Sequence, residues 1–546
     1  MDDGPVRPAI TPDTADFWDG CRDGVIRLPV CDACGWTVHP PRPVCPQCHS
    51  RALTPTVLDP HAVVESFTVS HTSMRPGLAA PYVLAIVQLV AAPNVRLTTR
   101  LVGVDTDAVE IGLAVRFLFE HVDDELTLPL VEPSGAAHDI HHAEQGRLTF
   151  NRHVGAKAES DAIIAGIGQS AIGRNLGRSE VDLSIESALQ AIADAGLRPA
   201  DIDGIAAYPG AGVGPTGYAG PSTDEVADAL GLNLAWHRAG AEGAGQLQPL
   251  FDAVLAVSSG FARNVLVYRT SIESTVAARW RAGTLALPPV VPAAGFLQWL
   301  LPFDSMTAAH WLAPYAMAHQ HRFGTSREQL GAIAVNARAN AARTPGAAFT
   351  DPITMDDYLA SRLISSPLCL FDCDVPVDGS VAVVVSRSDL APDLPHAPVR
   401  FEALGTGLGF RPSWDQWPDL TTMGAVGAAA TMWSRTDLRA VDIDIAEVYD
   451  GFTFLALSWL EALGFCEHGE GGLFVEGGRR IALDGDLPIS TGGGQLSFGR
   501  LHGWGLLLEA CRQLRGEAEG HQVESVETAV VSTGGGPIAG CVLLTV

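Results

Sequence analysis

Two C-x-x-C pairs, Cys31/Cys34 and Cys45/Cys48, stand close together in VCDACGWTVHPPRPVCPQCHS. Each pair presents two thiolates from one tight turn, and four thiolates complete a closed tetrahedral shell for structural Zn2+. A second chemical stretch runs from Ser490 to Gly505, STGGGQLSFGRLHGWG, with a glycine triplet, Arg500 and His502. A phosphate loop of the G-x-x-x-x-G-K-[ST] type needs a lysine there, and none is present; the glycine spacing also fits a dinucleotide fingerprint poorly. Two readings stay open. Gly493 and Gly494 adopt positive φ and aim N–H groups at a substrate oxygen, or they form a tight turn with no ligand. A third cluster, AEVYDGFTFLALSWLEALGFC, puts Tyr449 and Asp450 between a strand and an amphipathic helix. That position suits acid–base chemistry. It equally suits a core tyrosine, with Asp450 orienting a partner or capping the helix. His138, His141 and His142 share helical spacing but read as linker residues, and His39 and His49 as surface residues.

These residues need a large scaffold. The chain has 546 residues, which implies two or three domains, and 47% of them are hydrophobic. No apolar run reaches the ~18 residues of a membrane span. The start MDDGPVRPAI lacks an apolar signal core, so a cytoplasmic location is expected. A formal charge of -27 argues against nucleic acid as a partner. Lys157 is the single lysine. After Cys21, Cys31, Cys34, Cys45 and Cys48 no cysteine follows until Cys369, which does not look like a secreted disulfide framework.

Beyond the cysteine pairs, AVVESFTVSH, YVLAIVQLV, RLTTRLVG and VRFLFEH read as strands of a small OB-type β-barrel. From about Val131 to Ser160 the periodicity fails. Strand and helix signals then alternate to the end, the pattern of an α/β fold. VRFEALGTG, starting at Val399, matches DAIIAGIGQS in length and glycine placement and implies two similar halves. The chain thus divides into an N-terminal segment with zinc ribbon (1–55), a barrel (56–135), a linker (136–160), and two halves (161–395 and 396–546).

The segments AIIAGIGQS, HRFGTSREQLGAIAVNARANAARTP, SPLCLFDCDVPVDGSVAVVV, VYDGFTFLALSWLEALGFC and STGGGQLSFGRLHGWGLLLEACRQLRG together resemble the thiolase superfamily, in its sterol-carrier-protein/lipid-transfer-protein branch. Residues 1–135 resemble the zinc-ribbon/OB-fold proteins (domain of unknown function 35) that accompany acyl-CoA enzymes of this branch. The resemblance implies a thiolase-like α/β fold, two similar βαβ halves layered α/β/α/β/α, with a zinc ribbon and small OB-type barrel at the N-terminus. It implies an acyl-CoA thioester, so that coenzyme A arrives as part of the substrate, and a homodimer through the thiolase-like domain.

The departures from the family carry most of the information. A thiolase has a nucleophilic cysteine at the head of a helix in its first half, near Gly243 here, where this chain has none. Without a thiolate there is no acyl-enzyme. The family's His-Asp-Cys-Phe histidine falls at Tyr449. Its Gly-His-Pro motif becomes Gly499-Arg500-Leu501, with His502 two places on. Its C-terminal cysteine is replaced near Ser532 and Thr533, which with Gly534 are expected on the substrate or oxyanion side. What remains resembles the lipid-transfer-protein-like aldolases, which cleave a β-hydroxyacyl-CoA by a retro-aldol reaction, as in steroid side-chain removal. In them a tyrosine at the Tyr449 position is a catalytic candidate. A second family tyrosine aligns near Arg500, where this chain departs, leaving its role to Arg500 or His502.

The chemistry agrees. A Schiff-base aldolase needs a buried lysine, and the only lysine is in the linker. A metal aldolase needs an open divalent site, and the strong ligand set here is a closed four-cysteine shell. A CoA thioester needs neither, since donors can hold its enolate oxygen. A free tyrosine has a pKa of about 10, so Tyr449 needs Arg500 or a hydrogen-bonded His502 beside it to act as a base. The competing readings are a thiolase-like acyltransferase using an unusual nucleophile such as Ser532, and a non-catalytic acyl-CoA or lipid carrier. The ribbon and barrel are expected to dock on the body and close the CoA tunnel. VPAAGFLQWLLPFDSMTAAHWLAPY is left between acyl pocket, core and dimer contact.

Overall fold

The computed structural model describes residues 4–135, 139–141, 157–210, 216–240, 243–285, 291–408 and 413–546. His138 and His142 lie outside them. Helix α1 (Ala15–Arg22) buries Phe17, Trp18 and Cys21 ahead of an antiparallel pair, β1 (Ile26–Cys31) and β2 (Leu53–Leu58). The Sγ atoms of Cys31, Cys34, Cys45 and Cys48 lie within 4.8 Å of one another, with Cys31–Cys48 at 3.5 Å and Cys34–Cys45 at 3.7 Å. Zinc–sulfur bonds of about 2.3 Å in a tetrahedron put sulfurs ~3.8 Å apart, so the donor set fits that ion.

The barrel is closed by five strands: β3 (His61–Ser70), β4 (Tyr82–Leu89), β5 (Ala92–Leu101), β6 (Ala114–Asp123) and β7 (Leu126–Pro133). They follow the order β3-β4-β5-β7-β6, and pairing of β3 with β6 completes the ring. Strand β7, LTLPLVEP, was hidden by its prolines. Pro129 supplies only a carbonyl to its surroundings, accepting from Thr99 Oγ1 at 2.6 Å.

The remaining strands are β8 (Ala162–Gln169), β9 (Gly204–Ala207), β10 (Trp236–Ala239), β11 (Asn264–Ile272), β12 (Leu363–Ser365), β13 (Leu368–Cys369), β14 (Asp378–Arg387), β15 (Val399–Leu408), β16 (Ile445–Glu447), β17 (Thr528–Gly534) and β18 (Ile538–Thr545). One nine-stranded sheet runs β10-β9-β11-β14-β8-β15-β18-β17-β16. Outward from β8 or from β15, each side repeats one pattern: two antiparallel neighbours, then a parallel one. The sides join only through Val399 with Ile164 and Arg400 with Ile163.

The helices of this body are α2 (Glu180–Asp194), α3 (Thr223–Leu230), α4 (Gln248–Ser258), α5 (Glu273–Arg281), α6 (Ala308–Phe323), α7 (Arg327–Ala341), α8 (Met355–Ala360), α9 (Ala425–Trp433), α10 (Thr453–Ala462), α11 (Gly471–Val475) and α12 (Trp504–Arg515). The glycine pairs shared by the two strand starts have one purpose. A Cβ at Gly166 of β8 would lie 2.1 Å from Ala191 O of α2, and one at Gly405 of β15 would lie 2.2 Å from Ala428 O of α9. Each half packs a covering helix on its first strand at backbone contact. Helices α4 and α12 lie in the main core, with most of their residues buried.

The ribbon and barrel are welded to the body. Strand β12 extends the barrel sheet through Ser365 opposite Ser70. Arg75 holds Asp304 through two hydrogen bonds, at 2.7 and 2.8 Å. Buried Arg96 grips Glu65 at 2.6 and 2.8 Å and reaches Pro418 O at 3.0 Å. Trp299 stacks on Trp18, 5.7 Å between ring centroids, with Phe17 and His39 against its edges. Residues of 291–315 thus serve the contact between modules, because Trp299 and Phe303 join the barrel core. The expectation that His39 is a surface residue is corrected: it is 2% exposed. His141 exchanges backbone hydrogen bonds with Gln88 of the barrel, both at 2.8 Å. Among the described residues, no helix is long and apolar enough to cross a membrane.

Glu65→Ala strands Arg96 in a dry interface. Breaking such a buried pair costs about 3–5 kcal/mol, so urea unfolding should show the contact of barrel with body failing first. A change within about 0.5 kcal/mol would mean the contact does not hold the modules together.

Candidate active site

Strand β16 is fully buried, and its exit delivers Tyr449 into the body between glycines. The Tyr449 N–H donates to Ser532 Oγ of β17 at 2.9 Å. A Cβ at Gly451 would lie 2.8 Å from Tyr449 Cε1, and one at Gly503 would lie 3.5 Å from Tyr449 Cδ2 and 2.1 Å from Thr533 Cγ2. The tyrosine ring, Gly503 and Thr533 therefore form one wall.

Asp450 does not cap α10, which begins without a side-chain cap. Its Oδ1 accepts the Gln495 N–H at 2.8 Å and its Oδ2 the Ser490 hydroxyl at 3.2 Å. Residues 494–498 form a single wide turn, with Phe498 N–H on Gly493 O at 3.3 Å and Gly499 N–H on Gly494 O at 3.2 Å. A Cβ at Gly494 would fall 1.8 Å from Asp450 Oδ2. Asp450 thus ties down the glycine turn from beneath, and burial pushes its carboxyl up to about 7. The Gly493 N–H is already engaged by Ser490 O at 2.8 Å. The glycines are packing devices in this geometry, and neither Asp450 nor the Gly493 N–H is left open to a substrate.

Arg500 and His502 do come to one cleft. The Arg500 backbone N–H donates to Val375 O at 2.8 Å. Its guanidinium meets Asp374 Oδ1 at 2.9 Å and Glu273 Oε1, at the head of α5, at 3.0 Å. The two acids hold the Arg500 pKa above its usual value against the effect of burial, so it stays a cation. Burial pushes the Asp374 carboxyl up to about 6, with Arg500 opposing. His502 sits at φ 55°, and its Nδ1 lies 2.8 Å from Arg269 Nη2. Its Nε2 is 3.9 Å from Glu273 Oε2, and its ring meets Tyr218 edge-on at 4.7 Å. Burial, with Arg269 and Arg500 nearby, holds the imidazole well below its usual range.

Arg269, Tyr208, Tyr218, Glu273 and Asp374 were not among the expected site residues. One signal was available for Arg269: an arginine inside the apolar strand NVLVYRTSI needs buried partners.

The expected nucleophile position is also resolved. Before α4, a Cβ at Gly245 would lie 2.8 Å from Thr533 Oγ1, and one at Gly540 would lie 2.1 Å from Ala244 O. The helix head thus abuts Thr533 through glycine and alanine, which among the described residues bring no nucleophilic side chain there. Ser532 is fully buried, and its Oγ accepts the Tyr449 N–H. Thr533 Oγ1, also buried, has no hydrogen-bond partner among the described residues. Gly534 has φ 68°, and its carbonyl accepts from Trp459 Nε1 at 3.1 Å. Lys157 is bound to Glu402 O and Oε1 and to Arg435 O at 2.8, 2.9 and 3.0 Å, so its amine is engaged as an ammonium.

Residues 411–544 match the thiolase C-terminal domain-like family, 56–120 the C-terminal OB-fold domain of ChsH2, and 18–54 its rubredoxin-like zinc ribbon. A steroid side-chain-cleaving aldolase of Thermomonospora curvata is 34% identical over 395 residues, 70% of this chain and 97% of that protein. The 17-hydroxy-3-oxo-4-pregnene-20-carboxyl-CoA lyase of Mycobacterium tuberculosis is 34% identical over 400 residues, covering 70% and 98%. The solved structure of an Ltp2–ChsH2(DUF35) aldolase superposes with a TM-score of 0.62 at 34% identity, covering 71% of this chain and 98% of that one. The chain belongs to the thiolase superfamily, in its SCP2-thiolase-like branch, with a ChsH2-type zinc ribbon and OB-fold carried on the same polypeptide.

Proposed function

We propose that the chain is an acyl-CoA aldolase, a C–C lyase that cleaves a β-hydroxyacyl-CoA, with the related steroid side chains as the favoured substrate class. The observation that carries this reading is the pairing of Tyr449 with a nucleophile position built from Ala244 and Gly245 against Thr533. A cleft that cannot form an acyl-enzyme can still run a retro-aldol reaction, in which no protein atom joins the substrate.

In the cleavage direction a base takes the β-hydroxyl proton and a carbonyl forms at Cβ. The Cα–Cβ bond breaks, and its electron pair moves into the thioester as an enolate. A proton then returns to Cα, leaving a shortened acyl-CoA. Tyr449 is assigned the hydroxyl proton. Arg500 and Tyr449 attract each other electrostatically, which favours the phenolate needed of a base. The unpaired Thr533 hydroxyl and His502 are assigned to the thioester oxygen, whose charge grows in the enolate. Asp450, Gly493 and Gly494 hold the turn that presents Arg500 and His502. In a biosynthetic setting the same steps run in reverse.

Four cysteine sulfurs at zinc-like spacing support structural Zn2+ in the ribbon. The fused ribbon and barrel are assigned to closing the CoA tunnel, since fusion raises their local concentration on the body. Edge strand β10 is exposed, and Leu255 and Phe261 lie exposed nearby on the α4 side, which favours a homodimer through that edge. The cytoplasm is the assigned location.

Tyr449→Phe should lower turnover of a tertiary β-hydroxyacyl-CoA by about 10²–10⁴-fold while acyl-CoA binding stays intact. The measurement is chromatographic yield of ketone or aldehyde plus shortened acyl-CoA. Equal product from wild type and variant would reject the role of Tyr449, and binding without product across a substrate panel would favour a carrier. The purified chain should contain one zinc, and Cys34→Ala with Cys48→Ala should release it and lower the Tm of the ribbon. A metal-free protein with unchanged melting would reject the zinc assignment.

A further inference from the structure

We infer that Arg269 is a positioning residue that locks His502 as the neutral tautomer protonated on Nε2, so that His502 gives a hydrogen bond to the substrate oxygen and does not serve as the base. The substrate half of this statement rests on the aldolase reading; the tautomer does not.

A guanidinium has only donors and keeps its proton in proteins. Its Nη2 stands 2.8 Å from His502 Nδ1. Two N–H groups cannot face each other at that distance, so Nδ1 must offer a lone pair. The ring proton is then on Nε2.

Arg269 cannot turn away. It is fully buried on β11, and its Nη1 donates to Thr270 O at 2.6 Å and to Tyr218 O. Its guanidinium lies over the rings of Tyr208 and Tyr218, 5.4 and 4.8 Å from their centroids. Those tyrosines share a hydrogen bond of 2.6 Å between hydroxyls. The arginine is therefore fixed by one strand, two carbonyls and two rings before it meets the imidazole.

The groups facing His502 are Arg269 from β11, Arg500 from its own turn, Glu273 from α5 and the Tyr218 ring. Two cations oppose a third positive charge. The nearby carboxylate, Glu273, is already held by Arg500 at 3.0 Å. The downward shift of the His502 pKa agrees with this geometry. At 3.9 Å, Glu273 Oε2 is too far to accept the Nε2–H. Among the described residues Nε2 has no hydrogen-bond partner, so this donor is open to a ligand. A Cβ on the next residue, Gly503, would lie 3.5 Å from Tyr449 Cδ2, which places donor and tyrosine at the same wall. Arg500 is consumed by two carboxylates and His502 is a donor, so proton transfer falls to Tyr449.

The test uses the full chain labelled with 15N-histidine, with His502 assigned by loss of its signals in His502→Gln. At neutral pH, Nδ1 should show the shift of an unprotonated nitrogen and Nε2 that of a protonated one, and neither should titrate near the ordinary value of about 6.5. Arg269→Met and Arg269→Gln should mix the tautomers, move the titration toward that value, and lower kcat by up to about 10²-fold with acyl-CoA affinity kept. A proton on Nδ1, or a cationic His502 at neutral pH, overturns the inference even if no variant folds. Wild-type tautomer and kcat in Arg269→Met would also overturn it. The expected tautomer in a protein that cleaves no acyl-CoA would leave Arg269 in place and sink the aldolase reading alone.

Discussion

One arginine fully buried and a second half-buried in one cleft need partners, because an unpaired charge removed from water is far costlier than a paired one. Here the partners come from opposite halves of the fold. Arg500, on the second half, is held by Glu273 and Asp374 of the first. Arg269, on the first, reaches His502 of the second. The direct sheet connection between the halves is two residue pairs wide. These cross-cleft contacts fix the relative placement of Tyr449, Arg500 and His502 more closely than the sheet does.

Around that constraint, glycine does much of the positioning. Gly451 makes room for the Tyr449 ring, Gly494 for the Asp450 carboxylate, and Gly245 and Gly503 for Thr533. Each leaves a backbone where a side chain would push a reacting group aside. In the reading proposed above, such a site runs proton transfer and oxygen binding without a protein nucleophile. Distributing donors and a phenol around one site suits an enolate, whose charge develops as the Cα–Cβ bond breaks.

Much of this was readable from residue order alone. The cysteine spacing announced the ribbon, and the matching glycines of DAIIAGIGQS and VRFEALGTG announced two halves before any helix was seen to pack on them. Tyr449, Arg500 and His502 stood out because they replace residues of known motifs. Their partners were hidden, since contacts such as Arg269 with His502 span more than two hundred residues and leave no local pattern. Tyr218 sits in a glycine- and proline-rich stretch that reads as a loop. The glycine turn invited an oxyanion-hole reading because positive φ is visible in sequence, whereas the carboxylate it packs against is not. Pro129 and Pro133 masked β7, and His39 looked solvated because its aromatic partner, Trp299, lies far along the chain.

The fate of the α-carbon tests the central claim most directly. Turnover of a β-hydroxyacyl-CoA in D2O should yield shortened acyl-CoA carrying a solvent deuteron at Cα, because cleavage leaves an enolate that must be protonated there, and no acyl group should be trapped on the protein. Product without deuterium at Cα, together with an acyl group on the chain that hydroxylamine removes, would contradict a retro-aldol cleft and restore acyl transfer.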